Sequence, residues 1–328
     1  MQSTWRWVSF VSVVALLFVS RYSLPLQQSQ YETTLPPQQL TFGPIGETEP
    51  NVSPDGRWLA FQYFSKNQPG FPQIWIMEIA KGFTSARRLA GIYRYAGEMS
   101  WSPDSKWISF ISSLKTKSGT DTNQIFKVNI TTDEVAQITT FADETVIGDS
   151  TAWLATNYVA FERDGVIYLV PSTGGKEIQL LDTRDALSHQ EPSYLRFSPN
   201  GKMLIFSAEN ATKDQSSIWL ANIKSKVFHR LTKNHFDLCP AWIDDEHILF
   251  IRQTGAGWSE VEAFSLRTGN LNRITSMHTD FTPSTDPLGR MLYISRENPV
   301  QKEAGRTDYF DGFHIWRTPF SQRESIRK

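Results

Sequence analysis

The stretch that decides the fold is Val52-Ser-Pro-Asp-Gly-Arg-Trp-Leu-Ala-Phe61. It returns as Trp101-Ser-Pro-Asp-Ser-Lys-Trp-Ile-Ser-Phe110 and as Phe197-Ser-Pro-Asn-Gly-Lys-Met-Leu-Ile-Phe206. A worn copy is Asp286-Pro-Leu-Gly-Arg-Met-Leu-Tyr-Ile294, and Trp153 to Phe161 and Trp242 to Phe250 keep the strands without the turn. Each copy is a tight turn between two apolar strands, with proline fixing φ and Asp-Gly or Asn-Gly supplying the bend. The second strands end at 61, 110, 161, 206, 250 and 294, so the separations are 49, 51, 45, 44 and 44 residues. An all-strand period in the forties predicts one blade per repeat, hence an all-β, six-bladed β-propeller.

Every repeat carries its strands in the same order. A third strand follows the turn, as in Gln73-Ile-Trp-Ile-Met-Glu-Ile79, Ser217-Ile-Trp-Leu-Ala-Asn-Ile223 and Phe313-His-Ile-Trp-Arg317. A short fourth strand comes next, as in Gln137-Ile-Thr139, Arg230-Leu-Thr232 and Arg273-Ile-Thr275. The sixth repeat has no such strand after Phe313 to Arg317, whereas Gln39-Leu-Thr41 stands ahead of the first. The N-terminal segment is therefore expected to close the ring as the outermost strand of the last blade, which removes an exposed sheet edge.

The composition fits one large core rather than two domains. The chain has 328 residues, 40% hydrophobic and 13% aromatic. Trp75, Trp219 and Trp316 share one register of the third strand, where large side chains fill the wedge between blades. A formal net charge of −1 leaves no basic stripe and argues against a direct nucleic-acid partner. The single Cys239 excludes an internal disulfide and reads as a small buried apolar residue.

The first 26 residues stand apart as a signal or anchor segment. Trp5-Arg6-Trp7 leads into the apolar run Val8 to Val19, ended by Arg21. The run has the length of a signal-peptide core, but cleavage after Ser20 would put Phe18 at a position that needs a small residue. The expectation is an uncleaved N-terminal hydrophobic helix anchoring the protein to the inner membrane on the periplasmic side, with secretion into the periplasm after cleavage as the alternative. Residues 27–37 then read as a linker, 38–322 as the propeller and 323–328 as a tail.

Motifs for chemistry are sparse. Gly-x-Ser-x-Gly is absent; Gly257-Trp-Ser-Glu-Val261 lacks the second glycine. No zinc-binding His-Glu-x-x-His, glycine-rich phosphate loop or calcium loop occurs, and no cofactor or metal set is assigned. One constellation remains in the loops before the first strands: Glu47-Thr-Glu49-Pro50, His189-Gln-Glu191-Pro192, His235-Phe-Asp237 with Pro240, and His278-Thr-Asp280 with Pro283. These loops should gather at one mouth of the central channel, where imidazoles and carboxylates could bind a cation or a basic peptide. An acid just ahead of a proline also serves to cap the start of a strand, so structural, partner-binding and metal-holding readings all stand at this point.

The Ser-Pro-Asp-Gly turn, the Ile-Trp third strand and the Arg-Leu-Thr fourth strand resemble the propeller of TolB, the periplasmic protein of the Tol-Pal system. The resemblance spans roughly residues 38 to 322 and implies a propeller face able to meet a Pal-like envelope protein. The layout is also similar to the membrane-plus-sensor part of CadC-like regulators, and prolyl oligopeptidases use a related propeller. The expectation is an exported, membrane-tethered binding or sensing module without catalytic activity. The alternatives are the sensor of a CadC-like transcriptional regulator and a metal-dependent propeller hydrolase.

Overall fold

The computed structural model describes residues 30–44, 46–65, 68–89, 98–115, 121–141, 147–148, 150–188, 190–210, 215–233, 235–254, 258–275, 280–297 and 312–323. The expected N-terminal helix falls on residues outside this set. Among the described residues no helix is long and apolar enough to cross a membrane.

Two short strands, β1 (Gln30–Thr33) and β2 (Gln38–Gln39), precede the repeats. The first repeat contains β3 (Gly46–Val52), β4 (Trp58–Ser65), β5 (Gln68–Glu78) and β6 (Arg87–Arg88). The second contains β7 (Ser100–Trp101), β8 (Trp107–Lys115), β9 (Asp121–Asn129) and β10 (Val135–Gln137). In the third are β11 (Thr151–Leu154), β12 (Tyr158–Arg163), β13 (Val166–Pro171) and β14 (Ile178–Asp182). The fourth has β15 (Pro192–Phe197), β16 (Met203–Glu209), β17 (Ser216–Asn222) and β18 (Phe228–Arg230). The fifth has β19 (Phe236–Trp242), β20 (His247–Gln253), β21 (Ser259–Ser265) and β22 (Leu271–Arg273), and the last has β23 (Asp280–Thr285), β24 (Met291–Glu297) and β25 (Phe313–Arg323).

The arrangement is an all-β propeller. Its hydrogen-bonded sheets do not map one to one onto the repeats. Three sheets have four strands, the last repeat forms a five-stranded sheet with β1 and β2, and the fourth and fifth repeats share one eight-stranded sheet. What merges those two is a single parallel pairing, Ser216 with Phe236, between β17 and β19.

The recurring turn holds because its serine and its acid or amide act together. Ser53 Oγ donates to Asp55 Oδ1 (2.5 Å) and accepts from Trp58 N (3.0 Å), while Arg57 N donates to Asp55 Oδ1 (3.0 Å). Ser102, Asp104, Lys106 and Trp107 repeat this pattern, as do Ser198, Asn200, Lys202 and Met203. The bend needs a positive φ, taken by Gly56 (72°) and Gly201 (68°) and, without a glycine, by Ser105 (58°). Behind each turn the second strand runs into the core. Phe61, Phe110, Phe161, Phe206, Phe250 and Ile294 are all fully buried. Trp75 stacks on Tyr63 (4.4 Å) and Trp219 on Phe206 (6.4 Å), so these tryptophans pack as the repeat implied.

The fourth-strand threonine explains how the last sheet is completed. Thr139, Thr232 and Thr275 each accept, through Oγ1, the backbone N–H of a third-strand residue: Ile125, Ile218 and Val261. Thr41 does the same for Ile315 at 2.9 Å, although 274 residues separate them. Gln38 and Gln39 pair with Arg317 and Trp316 of β25, and Leu40 N donates to Ile315 O. The N-terminal segment thus stands in the last sheet where the other repeats place their own fourth strand.

The stretch read as a linker has structure as well. β1 pairs antiparallel with the end of β25, Gln30 opposite Arg323 and Thr33 opposite Phe320. Tyr31 stacks on Phe320 (4.8 Å), and its backbone carbonyl accepts from Asn272 of β22, so β1 also clasps the neighbouring repeat. Tyr31→Ala should therefore cost roughly 2–4 kcal/mol, seen as a lower urea midpoint, because it empties a buried aromatic site. A midpoint equal to that of the parent would return this segment to the status of a tether.

Candidate functional site

The constellation expected at the channel mouth is drawn largely into the sheets themselves. Glu47, Asp237 and Asp280 are fully buried. Asp237 forms a two-pronged ion pair with Arg252 of the adjacent strand (2.8 and 2.9 Å), and Asp280 does the same with Arg296 (2.6 and 3.0 Å). Glu47 Oε2 meets His314 Nδ1 at 2.7 Å and accepts from Thr41 Oγ1 at 2.9 Å, which ties the first repeat to the last. Such buried, two-pronged pairs satisfy their charges internally. Glu191 and His235 are exposed, and His189 and His278 lie outside the described residues. Among the described residues no group of three or more His, Cys, Asp or Glu side chains is placed to hold a metal ion.

Glu162 on β12 belongs to this end of the molecule. Its Oε1 accepts from Gly165 N at 2.5 Å. Burial pushes its carboxyl up to about 7, and the charges of Glu191 and Asp164 add to that against the backbone donors.

A second convergence lies deeper in the channel, and of its residues only Glu49 is among the binding candidates read from the sequence. Val52, Trp101, Trp153, Phe197, Trp242 and Thr285 occupy matching places in the first strands, opposite Leu59, Ile108, Val159, Leu204, Ile248 and Leu292. Three residues earlier stand Glu49, Glu98, Ser150, Tyr194, Cys239 and Thr282. In β3, β15, β19 and β23 the pairing register slips here, between Thr48 and Asn51, Ser193 and Arg196, Leu238 and Ala241, and Phe281 and Ser284. The slip goes with a left-handed backbone at Glu49 (φ 55°), Tyr194 (54°), Cys239 (52°) and Thr282 (45°). A bulge of this kind re-aims a side chain, and left-handed backbone at a β-branched threonine is costly enough to need a reason.

These bulges surround a cavity of about 450 Å³ on the channel axis, lined by Glu49, Tyr194, Arg196, Cys239 and Thr282 together with Trp101, Trp153, Phe197 and Trp242. Glu98 stands behind Arg196, whose Nη1 donates to Glu98 Oε2 at 3.2 Å and to the Leu195 carbonyl at 2.9 Å. Glu49 Oε2 accepts from Gln62 Nε2 at 2.8 Å, and its backbone N–H donates to Ser295 Oγ. Burial pushes the Cys239 thiol well up, and Glu98 and Glu49 push it further. The Tyr194 hydroxyl is likewise held well above its usual range, by the Cys239 beside it first, then by burial, Glu98 and Glu49. Both groups keep their protons at neutral pH, so Cys239 is no thiolate nucleophile but a weak hydrogen-bonding neighbour of Tyr194. The tryptophans are anchored through their ring N–H groups: Trp101 Nε1 donates to Asn51 O (2.9 Å) and Trp242 Nε1 to Arg196 O (3.0 Å).

No family model matches the chain. A curated relative, the uncharacterized peptidase YuxL of Bacillus subtilis (strain 168), is 28% identical over 186 residues, which is 54% of this chain and 24% of the relative. The chain thus spans about a quarter of the length of the curated relative that it matches. Among solved structures, a TolB protein of Agrobacterium tumefaciens superposes with a TM-score of 0.58 at 14% identity, covering 90% of this chain and 99% of that one. The acylaminoacyl peptidase of Pyrococcus horikoshii superposes with a TM-score of 0.54 at 13% identity, covering 86% of this chain and 45% of that one. At those identities the structures establish the fold: this is a TolB-like propeller. The expectation of a module without catalytic activity is corrected by the sequence relative, which is a peptidase. Of the readings given above, the propeller hydrolase kept as an alternative agrees better with that relative.

Two outcomes check this description. Asp280→Ala leaves the Arg296 guanidinium buried without its carboxylate and should cost about 3–5 kcal/mol in urea unfolding, while Glu191→Ala, on the surface, should leave the midpoint unchanged. Equal midpoints for the two variants would show that Asp280 is not a structural ion pair. For Glu162 the folded value is raised from 4.5 to about 7. The folded chain keeps a proton that the unfolded chain releases above pH 4.5, so stability present at lower pH is lost as pH rises through 7. Glu162→Gln should flatten that part of the stability–pH curve, and an unchanged curve would assign the slope to other groups.

Proposed function

We propose that this chain takes part in peptide hydrolysis, with the central channel as the passage that receives the peptide. The observation that carries the reading is the likeness to a peptidase over 54% of the chain, joined to a cavity on the propeller axis whose walls suit a peptide. Its volume of about 450 Å³ falls within the range of small-ligand and peptide sites. Trp101, Trp153, Phe197 and Trp242 offer apolar walls to side chains, while Glu49, Arg196 and Tyr194 offer hydrogen-bonding groups to a backbone. We count the two halves of the eight-stranded sheet as separate blades, since a single parallel pairing joins them. On that count six blades frame the passage. A cavity of about 450 Å³ can hold a few residues of an extended segment but no folded domain.

The test uses the tryptophans as reporters. Unstructured peptides of five to fifteen residues are titrated into the full chain while tryptophan emission is followed, and the mixtures are analysed by mass spectrometry for cleavage. A saturable emission change with peptides, and none with a folded protein of similar composition, is expected. Absence of any peptide-dependent change and of any new fragment would overturn the proposal.

A further inference from the structure

The turn joining the third and fourth strands of a repeat lies at the same end as its Ser-Pro-Asp turn, because successive strands run antiparallel. Backbone bonds tie the two turns together: Ile223 N donates to Lys202 O in the fourth repeat, and Leu266 N to Glu246 O in the fifth. On this face large aliphatic side chains stand out in or next to the turns of four consecutive repeats. Ile178, Val227, Leu271 and Leu288 are between 43% and 66% exposed. The turns of the first two repeats expose none of this kind, and the second carries Asp133 and Glu134 instead. Single exposed hydrophobics are ordinary, but a group gathered on one side marks an interaction surface. Lysines accompany the aliphatics. Lys176, Lys202, Lys224 and Lys226 are exposed in the same turns, and none makes an ion pair among the described residues. The acids of this face have partners within the protein: Asp244 meets His247, Asp245 accepts from Asn200 N, Glu246 meets Arg267, and Asp286 accepts from Met291 N.

The path of the chain is a separate observation. β25 passes the turn of its repeat at Phe320, whose N–H donates to Arg290 O, and runs on to Arg323 with Gln30 of β1 opposite. Tyr31 Oη donates to Asp244 Oδ2 in the turn of the fifth repeat (3.4 Å). The chain ahead of Gln30 therefore departs from this same face. It includes the apolar run Val8 to Val19, and the ten residues between that run and Gln30 span at most about 35 Å. An apolar segment and a face of aliphatic and lysine tips are thus held on one side of the molecule. Such tips suit an interface that is apolar beneath an anionic layer. We propose that this face of the propeller rests on an anionic lipid bilayer, with Ile178, Val227, Leu271 and Leu288 entering the headgroup layer and the four lysines meeting lipid phosphates. The proposal goes beyond the peptide reading and does not depend on it.

The experiment places an environment-sensitive fluorophore on the full chain at one introduced cysteine at a time. Val227→Cys and Leu288→Cys report on this face, and Gln253→Cys reports on the opposite end of β20. Cys239 is buried, and the parent chain carried through the same labelling controls for it. Each labelled chain is mixed with vesicles of phosphatidylcholine, with or without phosphatidylglycerol. On the anionic vesicles the probes at 227 and 288 should brighten and shift to the blue, while the probe at 253 stays as in water. Added salt, or Lys224→Ala combined with Lys226→Ala, should reduce the response at 288. If the chain binds vesicles with all three probes water-like, its apolar segment alone holds it and the proposal falls. It falls equally if no vesicles bind, if the probe at 253 responds as strongly, or if neutral vesicles give the same response. The substituted positions are exposed, and circular dichroism of each labelled chain confirms that the fold is kept.

Discussion

The hydrogen bond from Ile315 N to Thr41 Oγ1 carries the logic of the whole ring. A propeller sheet needs an outer strand, and the last repeat receives its own from the opposite end of the described chain. The bond matches the threonine contacts of the other repeats, made by Thr139, Thr232 and Thr275. Thr41 Oγ1 then donates a hydrogen bond to Glu47 Oε2, which also meets His314. One short motif therefore completes the last sheet and sets the start of the first strand of the first repeat. With the sheets held side by side in this way, the first strands are constrained to converge on an axis.

Convergence has consequences for polar groups. At one end of the channel, Asp237 and Asp280 lie fully buried against arginines on the adjacent strand. Charges placed there are tolerated only with close partners, and removing one partner costs more than the pair itself contributes. The acids are thereby absorbed into sheet structure rather than offered to a ligand. Deeper in, the strands meet the crowding differently. The register slips by one residue, one residue turns left-handed, and its side chain is presented to the axis. The strain at Thr282 and Cys239 accompanies the construction of a cavity whose lining is drawn from every repeat.

That lining is chemically mixed, which suits binding of a chain that is itself mixed. Indole faces accept aliphatic groups and cations, and the Glu98–Arg196 pair holds its members in place. The high-lying Tyr194 and Cys239 add hydrogen-bonding capacity without adding charge. The proposal of a peptide ligand draws both on the likeness to a peptidase and on a site of this kind.

Much of the fold was legible in the sequence because it is encoded locally. Ser53, Asp55 and Gly56 specify a turn within a few residues, and the spacing of such turns specifies strand order. Even the closing strand could be placed, since Gln39-Leu-Thr41 repeats a pattern whose partner is missing elsewhere. The role of β1 was not legible, because its contacts with Phe320 and Asn272 are distant in sequence and its composition is that of a polar linker. The candidate site was hidden for the same reason. The acids near Pro50, Pro240 and Pro283 share a motif, yet the burial of Glu47, Asp237 and Asp280 and their partners, His314 for the first and arginines for the other two, arise only when strands pair. Glu49 belongs to that motif, but Glu98, Tyr194 and Cys239 are not acids ahead of a proline, and no pattern links the four. What unites them is a position three residues before the paired end of a first strand, and only the ring, by bringing those strands to one axis, turns that shared position into a shared place.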